Sequence, residues 1–171
     1  MRNLEFKARL DGPRAALARA RAIGADLYGD LRQTDTYFYV PAGRLKLRET
    51  AGRQAELIFY HRDEAGSNRA SDYEIAHSRE PEALRDLLAH ALGVLAVVKK
   101  RRTLLTLDAS RIHLDNVDGL GHFAEFEVIV GDDEDAAKQR IDWLIREMGF
   151  DWSDCIRASY LDLTLSARET K

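Results

Sequence analysis

The chain has 171 residues, room for one domain with one core and hardly for two. Hydrophobic residues make up 45% and charged residues 32%, with a formal net charge of −3, so no global field recruits nucleic acid or a membrane, and any polyanion must be met by locally clustered bases. A lone Cys155 excludes an internal disulfide, the charged, alternating start MRNLEFKARL is not a secretory signal, and no apolar run approaches the roughly 20 residues of a membrane helix, so a cytoplasmic protein is expected.

In chain order, Asn3 to Arg9 predicts a strand, because polar Asn3, Glu5, Lys7 and Arg9 alternate with apolar Leu4, Phe6 and Ala8. Pro13 to Ile23 predicts a helix, opened by proline and stopped at Gly24. Thr34 to Val40, Arg44 to Arg48, Glu56 to Arg62 and Asp72 to Ala76 read as strands. A second helix, Pro81 to Leu92, carries Leu84, Leu87, Leu88 and Leu92 on one stripe and ends at Gly93. Strands return at Val97 to Arg102, Arg111 to Val117 and Ala124 to Ile129, with Gly119 and Gly121 marking a hairpin turn. The third helix, Ala136 to Met148, follows the acidic run Asp132 to Asp135 and closes at Gly149. Residues 1–171 therefore read as a single α+β domain, mostly antiparallel because short turns join neighbouring strands, with a loose tail from about 166 to 171.

Successive side chains on a strand point to opposite faces, so same-parity charges share a face. Glu5 sits with Lys7, Lys46 with Arg48, Lys100 with Arg102 and Glu125 with Glu127, while Leu4, Phe6, Leu45, Leu47, Phe126 and Val128 take the other face. The bland account is a half-solvated sheet. Against it, the signs are sorted by strand: basic at Arg44–Arg48 and Lys99–Arg102, acidic at Glu125 and Glu127. Like charges crowded together repel, so a merely solvated face would mix them. A polyphosphate with a divalent cation needs both parts, cationic donors for its oxygens and a few carboxylates for the metal.

These residues resemble a known family. NLEFKAR is similar to the Glu-x-Glu-x-Lys signature of the CYTH superfamily of triphosphate tunnel metalloenzymes, which holds class IV adenylate cyclases and thiamine triphosphatases. The likeness continues through QTDTYFYVPAGRLKLRE, LIFYHR, SDYEI, the basic VVKKRR, the acidic IHLDNVDGLGHFAEFEV and the closing SYLDL, in order over nearly the whole chain and nearest to the class IV cyclase branch. The resemblance implies an eight-stranded antiparallel β-barrel, a triphosphate tunnel with charged faces inside and amphipathic helices packed outside. It makes Glu5 and Lys7 catalytic residues of the signature and Lys7, Lys46, Arg48, Arg62, Lys100 and Arg102 the phosphate-binding set. Glu5, Glu125, Glu127 and Asp115 become the ligands of Mg²⁺ or Mn²⁺, with Arg9 and Glu74 as lesser candidates. Asn3 departs from the pattern: it stands where the signature has its first Glu and removes one negative charge from the metal side.

The expected function is a metal-dependent enzyme that cleaves a phosphoanhydride bond of a triphosphate: a nucleoside triphosphate, tripolyphosphate or thiamine triphosphate. Hydrolysis is favoured slightly because it needs no base-recognising pocket. The alternatives are a class IV adenylate cyclase making cyclic AMP and pyrophosphate from ATP, and a non-catalytic sensor of polyphosphate or nucleotide. The partner expected is a small-molecule triphosphate, with no nucleic acid or membrane, for a monomer or homodimer. His61, His77, His90, His113 and His122 lack metal-ligand spacing and read as surface or locally bonded residues. Cys155 has no partner for thiol catalysis, GLGHF lacks the Lys-Ser/Thr of a phosphate loop, and Lys99–Arg102 lacks the interleaved aromatics of an RNA patch. Trp143 and Trp152 read as packing anchors.

Overall fold

Alternation of apolar Leu4, Phe6 and Ala8 with Asn3, Glu5 and Lys7 gives the first strand, β1 (Asn3–Leu10), two chemically different faces, and the fold uses both. The computed structural model describes residues 3–62 and 71–169, the side chains of 62, 71 and 72 excepted. After β1 come α1 (Pro13–Ala22), β2 (Asp26–Phe38), β3 (Arg44–Thr50), β4 (Ala55–Arg62), β5 (Ser71–Ser78) and α2 (Pro81–Leu92). The second half holds β6 (Val94–Leu107), β7 (Ser110–Val117), β8 (Gly121–Ile129), α3 (Glu134–Glu147), a 3₁₀ turn (Trp152–Asp154) and α4 (Tyr160–Glu169).

The eight strands form one antiparallel sheet in the order β1-β8-β7-β6-β2-β3-β4-β5. One face of every strand, both edges included, lines a single cavity, so the sheet curls into a barrel-like wall. No ladder joins β1 to β5 among the described residues, so hydrogen bonding does not close the barrel. β6 and β2 are the longest strands, and β6 pairs along both its edges, with β2 and with β7. The β7–β8 turn is tight: the Leu120 N–H donates to the Val117 carbonyl at 3.0 Å, and Gly119 takes the left-handed φ of 75° that L side chains avoid.

The outer face of the curl is apolar and the helices cover it. Leu4, Phe6, Leu105, Ile112, Phe126 and Val128 pack against Ala16 and Ala20 of α1 and Ile141, Leu144 and Ile145 of α3. Phe6 and Phe126 stack with ring centroids 5.4 Å apart and are fully buried. Truncating either to alanine would cost about 3–5 kcal/mol. Phe38, Leu47 and Ala55 form a smaller cluster under Leu84 and Leu88 of α2. The three helices expected from periodicity, α1 to α3, form, α3 opening on the Asp133 carboxylate, which accepts from the Ala136 N–H at 2.9 Å.

Several strands run a few residues past their expected ends, and three elements differ most from the sequence expectation. β2 begins at Asp26 rather than Thr34, and β6 runs from Val94 to Leu107 rather than Val97 to Arg102, because each continues its alternation past the charged stretch. The closing segment is a helix, α4, so residues 166–169, expected to be loose, continue an ordered element.

Candidate functional site

The charged face of the curled sheet encloses a cavity of about 570 Å³. Strand parity decides what enters it: Asn3, Glu5 and Lys7 from β1, Gln33, Asp35 and Tyr37 from β2, Lys46 and Arg48 from β3, Lys100 and Arg102 from β6, His113 from β7, and Glu125 and Glu127 from β8. The apolar residues assigned to the opposite parity are absent from this lining. Glu74 is exposed, since Tyr73 and Ile75 are the residues of β5 that face in. Arg9 is exposed too, its guanidinium donating to the Leu120 carbonyl at 3.1 Å. The Arg62 side chain lies outside the described residues.

One wall is basic. Lys46, Arg48 and Lys100 converge on one carboxylate, Asp35, at 3.5, 2.8 and 2.9 Å. Arg48 binds it through both Nε and an Nη atom. Register sets this up: Asp35 lies opposite Arg48 on β3, and its neighbour Gln33 lies opposite Lys100 on β6. Burial pushes the Asp35 carboxyl up, but Arg48, Lys100 and Lys46 outweigh it and hold the group well below the usual range. Three cations on one anion leave the lysines short of compensation. Burial, with Arg48 adding repulsion, pulls Lys46 down to about 7, and burial pulls Lys100 to about 8. Arg102 lies opposite Asp115 and holds it with two bonds of 2.7 Å. Burial alone would raise Asp115, yet Arg102 holds it low. The wall thus carries four cations against two carboxylates.

The facing wall is acidic. Glu5 stands directly opposite Glu127 and Lys7 opposite Glu125 in the β1–β8 ladder. From β7, His113 stands opposite Glu125. Like charges placed face to face destabilise a sheet unless a cation lies among them. Lys7 reaches Glu125 only at 3.6 Å, Arg102 at 3.9 Å, and Arg111 reaches Glu127 at 3.7 Å, all outside hydrogen-bond range. Burial raises Glu125, but Lys7 and Arg102 keep it ionised far below the ordinary carboxylate range. His113, Glu125 and Glu127 offer ligand atoms within 4.8 Å of one another. Among the described residues, three buried side-chain atoms of cavity-lining residues lack a hydrogen-bond partner: Oε1 of Gln33 on the basic side, and Oδ1 of Asn3 and Nδ1 of His113 beside the carboxylates. Orphaned buried donors to a metal beside ionised carboxylates fit a divalent cation. Asp115 stands apart from this group, because Arg102 and the Tyr160 hydroxyl, which donates at 2.8 Å, take its oxygens.

The start of α4 fills one end of the curl. Tyr160 packs edge-on against Phe123 with Ala96, Val98 and Val117 around it, and its ring lies 4.4 Å from Lys7 Nζ. The sequence singles out neither Asp35 nor Tyr160, and its reading of His113 as a surface or locally bonded residue is corrected here: the side chain is buried and lines the cavity. Asp35 shares parity with Gln33 and Tyr37 on β2, a usable signal once that strand is traced. His113 shares parity with Asp115, and its two-residue offset from that carboxylate was the clue available. No pattern pointed to Tyr160, which enters the cavity from a helix.

A CYTH domain family model matches residues 1–159. A search of the curated proteins gave no match. Among solved structures, the PH1012 protein of Pyrococcus horikoshii is similar at 24% identity and a TM-score of 0.86, over 94% of this chain and 98% of that one. A proposed adenylate cyclase of Vibrio parahaemolyticus is 23% identical with a TM-score of 0.78, over 95% and 97% of the two chains. A proposed adenylyl cyclase of Hippeastrum, described as having a dominant triphosphatase activity, is 15% identical with a TM-score of 0.69, over 100% and 97%. No helix among the described residues is long and apolar enough to cross a membrane.

Proposed function

The chain belongs to the CYTH domain family, and from that membership we propose that it is a divalent-metal-dependent triphosphatase acting on a small-molecule triphosphate. The observation that carries this reading is the division of one cavity into a basic wall and an acidic wall. Lys46, Arg48, Lys100 and Arg102 bind the phosphate oxygens, and Arg62 is proposed to join them. Asp35 and Asp115 set the rotamers of those side chains beforehand, so little ordering remains on binding. Lys7, at the floor against Tyr160, meets a terminal phosphate. Glu5, Glu125, Glu127 and His113 are the residues that would hold Mg²⁺ or Mn²⁺. The cation supplies charge neutralisation at the reacting phosphate. Asn3 contributes an amide oxygen where a carboxylate would have added charge.

A cyclase reading has one observation in its favour. Tyr28, Leu31, Ile58 and Ile75 bring apolar surface to the same cavity, which an inorganic chain does not need. One assay separates the readings: tripolyphosphate, thiamine triphosphate and ATP, each with Mg²⁺ or Mn²⁺. Orthophosphate release without cyclic AMP is expected. Cyclic AMP and pyrophosphate from ATP would replace this proposal with the cyclase, and tight tripolyphosphate binding without turnover would replace it with a sensor.

A further inference from the structure

The candidate metal site includes a nitrogen donor. Nδ1 of His113 lies 4.0 Å from Glu125 Oε1 and 3.8 Å from Glu127 Oε1, too far to hydrogen-bond either, yet on the same side of the cavity wall. The imidazole is almost fully buried, with 4% of its side chain exposed, and Nδ1 has no hydrogen-bond partner among the described residues. Leaving such a nitrogen unsatisfied costs about 1–3 kcal/mol, which a ligated cation would remove. The three donor atoms stand around a gap, with Asn3 Oδ1 also unpartnered in the same cavity.

Donor type selects among cations. Mg²⁺ prefers an octahedron of oxygens and parts with its waters reluctantly, whereas imidazole suits first-row transition ions. Four oxygen donors would leave the site open to Mg²⁺. A site with one imidazole nitrogen and a neutral amide where a further carboxylate could stand has less charge and a softer donor.

We propose that His113 is a direct ligand of the bound cation and that this site prefers a first-row transition ion, such as Mn²⁺ or Co²⁺, over Mg²⁺. The inference rests on the metal reading given above. The test uses the whole chain and the metals alone. Pulsed electron paramagnetic resonance of bound Mn²⁺ should show ¹⁴N modulation from one imidazole, absent in His113→Gln. Calorimetric titration should give a Co²⁺-to-Mg²⁺ affinity ratio that falls by about tenfold or more in His113→Gln. Glu127→Gln, which removes a negative charge and one carboxylate oxygen but no nitrogen donor, should weaken both ions and keep the nitrogen signal, which separates ligand loss from a general disturbance of the site. Mn²⁺ binding that Glu127→Gln weakens, but with no nitrogen modulation and an unchanged ratio in His113→Gln, overturns this inference and leaves the metal site standing. No binding of any of the three ions overturns both.

Discussion

Asp35 is the residue on which the basic wall turns. It is 1% exposed and takes three cations, so it keeps Lys46, Arg48 and Lys100 near one another but leaves the two lysines under-compensated. Burial, with repulsion from Arg48 and the other cations, lowers Lys46 to about 7 and Lys100 to about 8, against an ordinary value of 10.5. In the ligand-free protein the unfolded chain therefore holds more protons from about pH 7 up to 10.5, and stability rises with pH through that window. Triphosphate works in the opposite direction, because an anion beside a lysine favours its charged form. Binding at pH 8 should take up roughly one proton, and affinity should fall as the pH climbs past 8. Calorimetry in two buffers of different ionisation enthalpy reads the uptake directly. Lys46→Arg keeps the charge but has no proton to gain, so its uptake should shrink markedly while binding persists. Equal uptake in both proteins would show that Lys46 is already charged in the ligand-free site.

At the scale of elements, α4 does what no strand can: it brings polar groups to the floor of the barrel from outside the sheet. Asp162 accepts from the Ser159 N–H at 2.8 Å and from Arg44 of β3 at 2.9 Å, tying the helix start to the wall. Upstream, the Ile156 N–H donates to the Lys7 carbonyl at 2.7 Å. Tyr160 is thereby positioned to bond Asp115, which holds Arg102. Tyr160→Phe keeps the ring against Phe123 and Lys7 but deletes a hydrogen bond to a buried charge, so urea unfolding should show a loss of about 1.5–3 kcal/mol. A loss below about 0.5 kcal/mol would mean that solvent replaces the hydroxyl there. This helix also marks the limit of what the sequence discloses. Strand parity placed Lys46, Arg48, Lys100, Glu125 and Glu127 on one face correctly, since a period of two needs no knowledge of partners. Leu161, Leu163 and Leu165 alternate as a strand would, so helical periodicity gives no sign of α4. Asp35 and His113 were hidden for another reason: their importance comes from register, Asp35 opposite Arg48 and His113 opposite Glu125, and register is a property of pairs of strands.

For the whole molecule, a chain of net charge −3 encloses a wall of four basic side chains, and that contrast decides how it should respond to ligand. Burying cations in excess of their partners stores repulsion in the folded state, which the apolar clusters outside the sheet must outweigh. An anion that enters the cavity relieves this repulsion only when the wall is assembled, so it binds the folded chain and not the unfolded one. At a concentration 100 times its dissociation constant, such a ligand stabilises by about 2.7 kcal/mol. For a domain of this length that corresponds to a rise in Tm of roughly 5–10 °C. Thermal unfolding with tripolyphosphate should show that rise at pH 7, whereas sodium chloride at matched ionic strength should not, because screening acts weakly on buried pairs. The rise should persist without divalent metal, though smaller, since the basic wall does not need the acidic one to bind phosphate oxygens. Lys100→Ala combined with Arg102→Ala should abolish it. An unchanged Tm in tripolyphosphate, with and without Mn²⁺, would mean that the four cations serve Asp35 and Asp115 alone and that the cavity takes no polyanion.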